Sequence, residues 1–456
     1  MAKYQKYAEY KDSGVEWLGE IPRHWDSKPL KYLCTYNDEV LPETTAKDAE
    51  IQYIDIGSVS AVDGISKIET MIFKDAPSRA RRIVRDGDVI VSTVRTYLEA
   101  IAPINNPPEN LIVSTGFAVI RPNQYLYKSF ASYCLRAKGF IKEVVARSVG
   151  VSYPAINSSD LVNITIPSIE YAEQVKIANF LDHETAKIDS LIAKQEKLIE
   201  ILKEKRQAVI SHAVTKGLNP NVAMKDSGVE WLGQVPEHWL TPRLKQLIKY
   251  GSSISYGIVQ PGDPLDEGVP FIQTTNISKG IFALEDFQKT SVSIESNYPR
   301  SRLEGGEVIL GIRASIGAAF VVPMSFKGVN LSRGIARIVP NNLLRADFLV
   351  WYFKSNAVDQ YWGLSKQGST FSEVSIETVK ELNVVIPPLV EQADIAKYLT
   401  NESNKFEKLI NSAETQKILL QERRTALISS AVTGKIDVRH HASRPSGNDK
   451  KQTEGI

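Results

Sequence analysis

The chain has 456 residues, 43% hydrophobic and 24% charged, with 55 Lys+Arg against 53 Asp+Glu. That length suggests two to four soluble domains, and a formal net charge of +2 excludes a bulk polycation without excluding local nucleic-acid surfaces. Cys34 and Cys134 make no disulfide framework, and six histidines leave little material for a zinc site. The segment from Met1 to Tyr10 has no apolar h-region and no run of 18 apolar residues occurs, so neither a signal peptide nor a membrane span is expected. The expected compartment is a reducing cytoplasm.

In chain order, an arm (1–25) precedes a first middle domain (26–170). Ile51–Ile56, Val89–Val94, Ala118–Arg121 and Val162–Ile166 are its β-rich runs, with a helix over Leu126–Val145. Residues 171–217 form a long helix: no Pro or Gly interrupts 173–216, and Glu, Lys, Gln, Ala, Ile and Leu dominate. Its heptad seam runs through Ile177, Leu181, Glu184, Ile188, Leu191, Gln195, Leu198, Leu202, Lys205 and Val209. A linker (218–239) repeats the arm, and a second middle domain (240–388) follows. Its strands are expected at Val269–Thr274, Val308–Ile312, Ala336–Val339 and Leu382–Ile386, with a helix over Leu343–Trp362. A second long helix (389–434) carries the seam Ile395, Leu399, Glu402, Phe406, Leu409, Ala413, Gln416, Leu420, Arg423, Leu427. The tail (435–456) is polar and is expected to be disordered.

The order of these parts is an internal duplication. Lys11–Gly19 recurs unchanged as Lys225–Gly233, and the match continues through His24-Trp25 and His238-Trp239. Gly87-Asp88-Val89-Ile90 parallels Gly306-Glu307-Val308-Ile309, and Ser114-Thr115-Gly116 parallels Ser332-Arg333-Gly334. The ends of each repeat are alike, whereas the middles share a skeleton and little sequence. Like parts should perform one job twice; unlike middles should perform related jobs on different targets. Equivalent seam positions hold Glu184 with Glu402 and Lys205 with Arg423, so antiparallel pairing of the long helices sets acid against base, where parallel pairing stacks like charges. The competing arrangement packs each helix on its own domain alone. The fold class is therefore α+β: two pseudo-symmetric α/β domains joined by two long helices in an antiparallel coiled coil.

Signs of catalysis are sparse. Asn106-Pro107-Pro108-Glu109 lacks the aromatic that adenine methyltransferases place after Asn-Pro-Pro, and no glycine-rich cofactor loop follows a strand, so a proline-rich turn is expected. Thr433-Gly434-Lys435 lacks the flanking residues of a phosphate loop. His183, His212 and His440-His441 are isolated, and no Cys/His spacing fits zinc, so neither catalytic nor metal-ligating residues are assigned. The His-Trp pairs follow Pro22 and Pro236 and should anchor the adjoining domain.

Basic, hydroxyl and aromatic residues cluster more informatively. Arg79, Arg81, Arg82 and Arg85 precede Gly87, and 121–147 holds six basic residues against the single acid Glu143. The loop carrying Arg147, Ser152 and Tyr153 has a counterpart carrying Lys366, Gln367, Ser369 and Thr370. Arg95 and Tyr97 follow one strand; Arg313 and Ser315 follow the equivalent one. Such side chains contact phosphates and read base edges in the major groove. Arg81, Arg82, Arg95, Tyr97, Arg147, Ser152 and Tyr153, with Arg302, Arg313, Ser315, Arg333, Lys366, Gln367, Ser369 and Thr370, are the candidate DNA-binding residues of two reading surfaces.

These features together resemble the specificity subunit of type I restriction–modification enzymes. The resemblance is carried by Gly14–Trp25 and Gly228–Trp239, by Ile166-Pro167 and Ile386-Pro387, by Glu173–Leu181 and Glu391–Leu399, and by Lys205–Thr215 and Arg423–Thr433, and covers residues 10 to 438. It implies a non-catalytic subunit in which each middle is a target-recognition domain. The double-stranded DNA site would be bipartite and asymmetric, with the coiled coil as a ruler for its spacer. It further implies two DNA adenine methyltransferase subunits, bringing S-adenosylmethionine, docked on the repeated regions that hold Trp17, His24, Trp25, Trp231, His238 and Trp239. Two motor-nuclease subunits using ATP and Mg2+ would join them. A self-contained methyltransferase or nuclease would need a cofactor loop or carboxylate cluster absent from these motifs. A DNA-binding scaffold outside modification would share the same helices and domains.

Overall fold

The computed structural model describes residues 4–60, 64–279, 283–365 and 373–441. The chain divides into two units: Met1–Gln195 with Thr415–Ile456, and Glu196–Glu414. Each unit therefore takes one middle domain and one half of each long helix.

In the first unit the run Val89–Ser92 is buried throughout and centres a four-stranded antiparallel sheet. Ile101–Pro103 flanks it on one side; Phe117–Pro122 and then Cys34–Tyr36 lie on the other. A second sheet is ordered Glu69–Ile72, Glu50–Ile54, Leu111–Ser114, Ala80–Ile83, and its central pair is parallel. The second unit repeats this plan. Ser255–Tyr256, Ile335–Ile338, Val308–Gly311 and Ala319–Val321 form one sheet; Gln288–Thr290, Val269–Ile272 and Asn330–Leu331 form the other, again with a parallel pair. The repeated Gly-acid-Val-Ile motif has a physical reason. Asp88 is buried, caps the turn by accepting the Arg85 N–H at 2.7 Å, and holds the Arg121 guanidinium at 2.8 and 2.9 Å. Glu307 likewise accepts the Glu304 N–H at 2.7 Å and pairs with Arg337 at 3.2 Å. A buried carboxylate persists only with such partners.

Several expected elements change. Each middle's helix is two helices, Lys128–Leu135 and Lys138–Ala146, then Ala346–Phe353 and Asn356–Ser365. The first break turns at Ala137, which is extended (φ −68°, ψ 137°), and brings Gly139 against Trp17, where a Cβ would lie 2.5 Å from the indole. Ser158–Val162 is a helix, so the strand expected from Val162 begins at Thr165. Leu382–Ile386 makes two isolated bridges instead of a strand, Leu240 with Ile386 and Arg243 with Asn383. The segment expected to be a polar tail starts ordered: Ile436 and Val438 are buried beside the arm, and the Asp437 N–H donates to the Gln5 carbonyl at 2.8 Å. The expected proline-rich turn runs one step later, from Pro108 to Leu111, the Leu111 N–H donating to the Pro108 carbonyl at 3.1 Å. Both cysteines are free and buried, and burial pushes the Cys34 thiol up to about 12.

The long helices span Tyr171–Lys216 and Leu389–Val432. Inside each unit their halves run antiparallel. In the first, Asp189 pairs with Arg424 at 2.7 Å, while Glu173, sixteen residues earlier, lies 3.9 Å from Arg439. The acidic seam residue Glu184 and the basic Arg423 meet at Tyr4, as acid-against-base pairing requires. In the second unit Ile199 packs with Ile410 and Ala413. The seam itself slips. It follows the expected positions to Ile188, after which Leu191 and Leu198 are exposed (44% and 43%) while Ile199 is buried. Ile177, Ile188, Ile199 and Ile210 are all buried, a repeat of eleven residues; on the second helix Ile410 replaces the exposed Leu409. An eleven-residue repeat is 3.67 residues per turn, which removes the left-handed supercoil that a heptad seam imposes.

Each helix entry carries the same polar clamp. Trp25 Nε1–H donates to Glu173 Oε1 at 3.1 Å, and His24 Nε2 lies 3.0 Å from Oε2. Trp239 Nε1–H donates to Glu391 Oε2 at 3.0 Å, and His238 Nε2 lies 2.7 Å from Oε1. The adjacent glutamines act alike. Gln174 accepts the Tyr127 N–H and donates to the Tyr125 and Ile169 carbonyls; Gln392 accepts the Arg345 N–H and donates to those of Leu343 and Pro387. Each clamp thus ties the repeated arm and the domain's helical hairpin to the first turn of a long helix.

Candidate nucleic-acid interface

In the first domain one group of loops gathers beyond the strand Val89–Ser92. The Thr93 N–H donates to the Gly116 carbonyl and the Thr115 N–H to that of Arg79, both at 2.8 Å. Thr96 Oγ1 donates to Ser148 Oγ at 2.7 Å, and Val94 bridges Ala155. Arg95, Tyr97, Arg147, Ser152 and Tyr153 are brought together here and are exposed. Arg95 is left-handed (φ 50°), which turns its guanidinium over the Tyr153 ring at 5.1 Å. Arg147 pairs with Glu143 at 3.2 Å on its own helix turn. Arg81 and Arg82 lie on the adjoining strand Ala80–Ile83. Arg81 covers Phe73 at 4.9 Å. Burial lowers the Arg82 pKa, and its Nε has no hydrogen-bond partner among the described residues. Arg79, beside this group, pairs with Asp55 at 3.1 Å.

The second domain builds the same platform with other side chains. The Val374 N–H donates to the Ile312 carbonyl at 2.8 Å, as the Ile156 N–H does to that of Thr93 at 2.9 Å. Arg313 bridges Glu373 where Val94 bridges Ala155. The left-handed residue is Ala314 (φ 58°), so Ala314 is the backbone counterpart of Arg95, and Arg313 is that of Val94. This corrects by one position the equivalence expected between Arg95 and Arg313. Arg313 and Arg333 lie 3.7 and 3.9 Å from the same carboxylate oxygen, Glu373 Oε2. Ser315 closes the tight turn, its N–H donating to the Arg313 carbonyl at 2.6 Å. Lys366, Gln367, Ser369 and Thr370 lie outside the described residues. Arg302 is tied to buried Glu295 by two hydrogen bonds of 2.6 and 2.7 Å, which hold that carboxyl below its usual range, and Glu295 also receives Asn330. Sequence reasoning missed Glu373, Asp55 and Gln273; the last holds Gln288 at 2.9 Å. The duplication was the available signal, since these positions differ between repeats built on one plan.

The expected docking residues divide. Trp25 and Trp239 are 0% exposed and occupied by their clamps, so they offer a partner no surface; the anchoring expectation fits them instead. His24 and His238 keep 49% and 43% of their side chains exposed. Trp17 donates to the Thr165 carbonyl at 3.0 Å, and Trp231 packs on Tyr361 at 5.3 Å; both are half-buried. The clamps differ in cover. Glu173 also accepts the Tyr7 hydroxyl at 2.9 Å and is 8% exposed; Glu391 is 41% exposed beside a cavity of about 300 Å³ lined by Lys216, His238, Trp239 and Asp394. Among the described residues no group of three His, Cys, Asp or Glu side chains could hold a metal, and no helix is long and apolar enough to cross a membrane.

The family model for the type I restriction modification DNA specificity domain matches twice, at residues 22–201 and 236–419. The chain is 27% identical over 315 residues to the type I restriction enzyme EcoBI specificity subunit of Escherichia coli, covering 67% of this chain and 66% of that one. It is 25% identical over 440 residues to the putative MjaX specificity subunit of Methanocaldococcus jannaschii, covering 92% and 96%. Two solved structures share the fold. One is a chain from a type I R-M system described for its complex assembly and conformational transition (TM-score 0.71, 24% identity, 90% of this chain and 98% of that one). The other is the HsdS subunit of Thermoanaerobacter tengcongensis (TM-score 0.53, 23% identity, 91% and 98%). Two matched domains covering most of the chain, on a duplicated fold with paired long helices, make it a member of the type I restriction-modification DNA specificity family.

Proposed function

We propose that this chain reads a bipartite, asymmetric DNA site for a type I restriction–modification complex, one half-site per domain, in the cytoplasm. The observation that carries the reading is one platform presented twice with unlike tips: Val94 and Ala155 in the first domain, Arg313 and Glu373 in the second. A shared backbone with different polar groups is what recognition of two different half-sites needs, because specificity comes from base-edge contacts and register from the scaffold. The helix pair acts as the ruler between half-sites. Two methyltransferase subunits dock on the repeated regions, where exposed His24, His238 and the partly open Glu391 clamp are candidate contacts, and bring S-adenosylmethionine. They flip and methylate adenine. Two motor-nuclease subunits supply ATP- and Mg2+-dependent translocation and cleavage. With a net charge of +2, the chain alone should bind DNA weakly and the methyltransferase complex strongly.

The test is genome-wide mapping of N6-methyladenine with and without the gene. Loss of methylation at one interrupted, asymmetric motif is expected. Unchanged methylation in cells where the chain co-purifies with an active methyltransferase contradicts the reading. A chain that binds DNA without any methyltransferase partner is the scaffold alternative.

A further inference from the structure

The second domain carries an acid where a DNA-facing surface should exclude one. Glu373 stands at the position of Ala155, on a backbone fixed by the same hydrogen bond in both domains (Val374 N–H to Ile312, Ile156 N–H to Thr93). Its bridge partner Arg313 stands at the position of Val94. The neighbouring turn also matches. A Cβ on Gly334 would come 2.5 Å from Thr274 and 3.5 Å from Arg313; one on Gly116 would come 2.4 Å from Ile56 and 3.3 Å from Val94. The platform therefore folds equally with an apolar pair, and nothing in its architecture requires Glu373.

Stability does not require it either. The Arg313, Arg333 and Glu373 side chains are 38%, 47% and 35% exposed, and their 3.7 and 3.9 Å separations exceed hydrogen-bond length, so screening leaves such contacts weak. A carboxylate beside phosphates is repelled by them. It is useful on this face only if it meets a donor, and the donors in the major groove are the amino groups of cytosine and adenine. Both arginines approach the same oxygen, Oε2, so two guanidiniums stand within 4 Å of the acid. Arginine is the usual partner of guanine O6 and N7, and a carboxylate accepts from cytosine N4.

We propose that Glu373 is a specificity-determining residue of the second domain: with Arg313 and Arg333 it reads a G·C pair, accepting from cytosine N4 while an arginine donates to guanine. The inference rests on the proposed DNA-reading function. The first domain has Ala155 at this place.

The experiment assembles the full chain with its methyltransferase subunits and selects bound duplexes from a library randomised across both half-sites. For Glu373→Gln, discrimination at one G·C position of the second half-site should fall about tenfold or more, with the first half-site unchanged. Glu373→Asp should retain the wild-type preference, and both variants should melt as the wild type does. A Glu373→Gln pool identical to the wild-type pool, a pool altered in both half-sites, or no selected pool at all overturns the inference while leaving the general function intact. Failure of the wild-type complex to select any interrupted motif overturns the function itself, and the inference with it.

Discussion

The helix-entry clamps and the domain tips obey opposite rules. At the clamps Glu173 and Glu391, Gln174 and Gln392, and the two His-Trp pairs make the same hydrogen bonds. At the tips Val94 with Ala155 becomes Arg313 with Glu373 at a bridge flanked by the same hydrogen bond. Buried donors and acceptors must be satisfied within the chain, so a clamp has one working solution and uses it twice. A tip is solvated in the free chain, and its side chains are free to differ.

The largest expected effect breaks the likeness of the clamps. Glu173→Ala strands the Trp25 indole N–H and the Tyr7 hydroxyl in a buried setting, and should destabilise the first unit by about 3 kcal/mol or more. Glu391→Ala should cost about 1 kcal/mol, since water reaches that site. Hydrogen exchange resolved by unit, with thermal melting, measures both, and equal losses would contradict the difference in cover. Next, eleven residues inserted into each long helix continue the buried isoleucine line. The extra length is about 16.5 Å, so the methylated motif should gain about 5 base pairs of spacer; an unchanged spacer would sink the ruler. Arg313→Ala should relax one position of the second half-site by about 1–3 kcal/mol and leave the first half-site as it was. Equal change in both half-sites would end the division of labour.

The smallest effect is in acid. Arg302 holds the Glu295 carboxyl below its ordinary 4.5, so this pair's stabilisation is present above that value and is lost as pH falls through the lowered folded-state pKa. Glu295→Gln should reduce the acid dependence of the second unit's melting below about pH 4.5. An unchanged acid limb would assign the acid sensitivity to other groups.

Much of the architecture was legible because it repeats. The copied Trp-Leu-Gly and His-Trp words and the Glu-Gln helix openings mark the clamps before their hydrogen bonds are visible. The seam was legible only to Ile188, because Leu191 and Leu198 fit a heptad as well as Ile199 fits an eleven-residue repeat; burial decides between them. The helical hairpins were read as single helices because neither Ala137 nor Ser355 is a strong breaker. Ser355 acts locally: it is buried, its hydroxyl donates to the Tyr352 carbonyl at the end of one helix, and it accepts the Val358 N–H in the first turn of the next. Arg313 was matched to Arg95 by chemistry, whereas the backbone matches Ala314 to Arg95 through its left-handed turn, which side-chain type does not reveal. Arg302 is a DNA-binding candidate in the sequence, and its pairing with buried Glu295 shows only in the fold.

The most direct measurement replaces residues 240–388 with a second copy of residues 26–170 and maps N6-methyladenine made by the assembled complex. One half-site per domain predicts an interrupted palindrome built from the first half-site alone. Methylation that stays at the original asymmetric motif would contradict it.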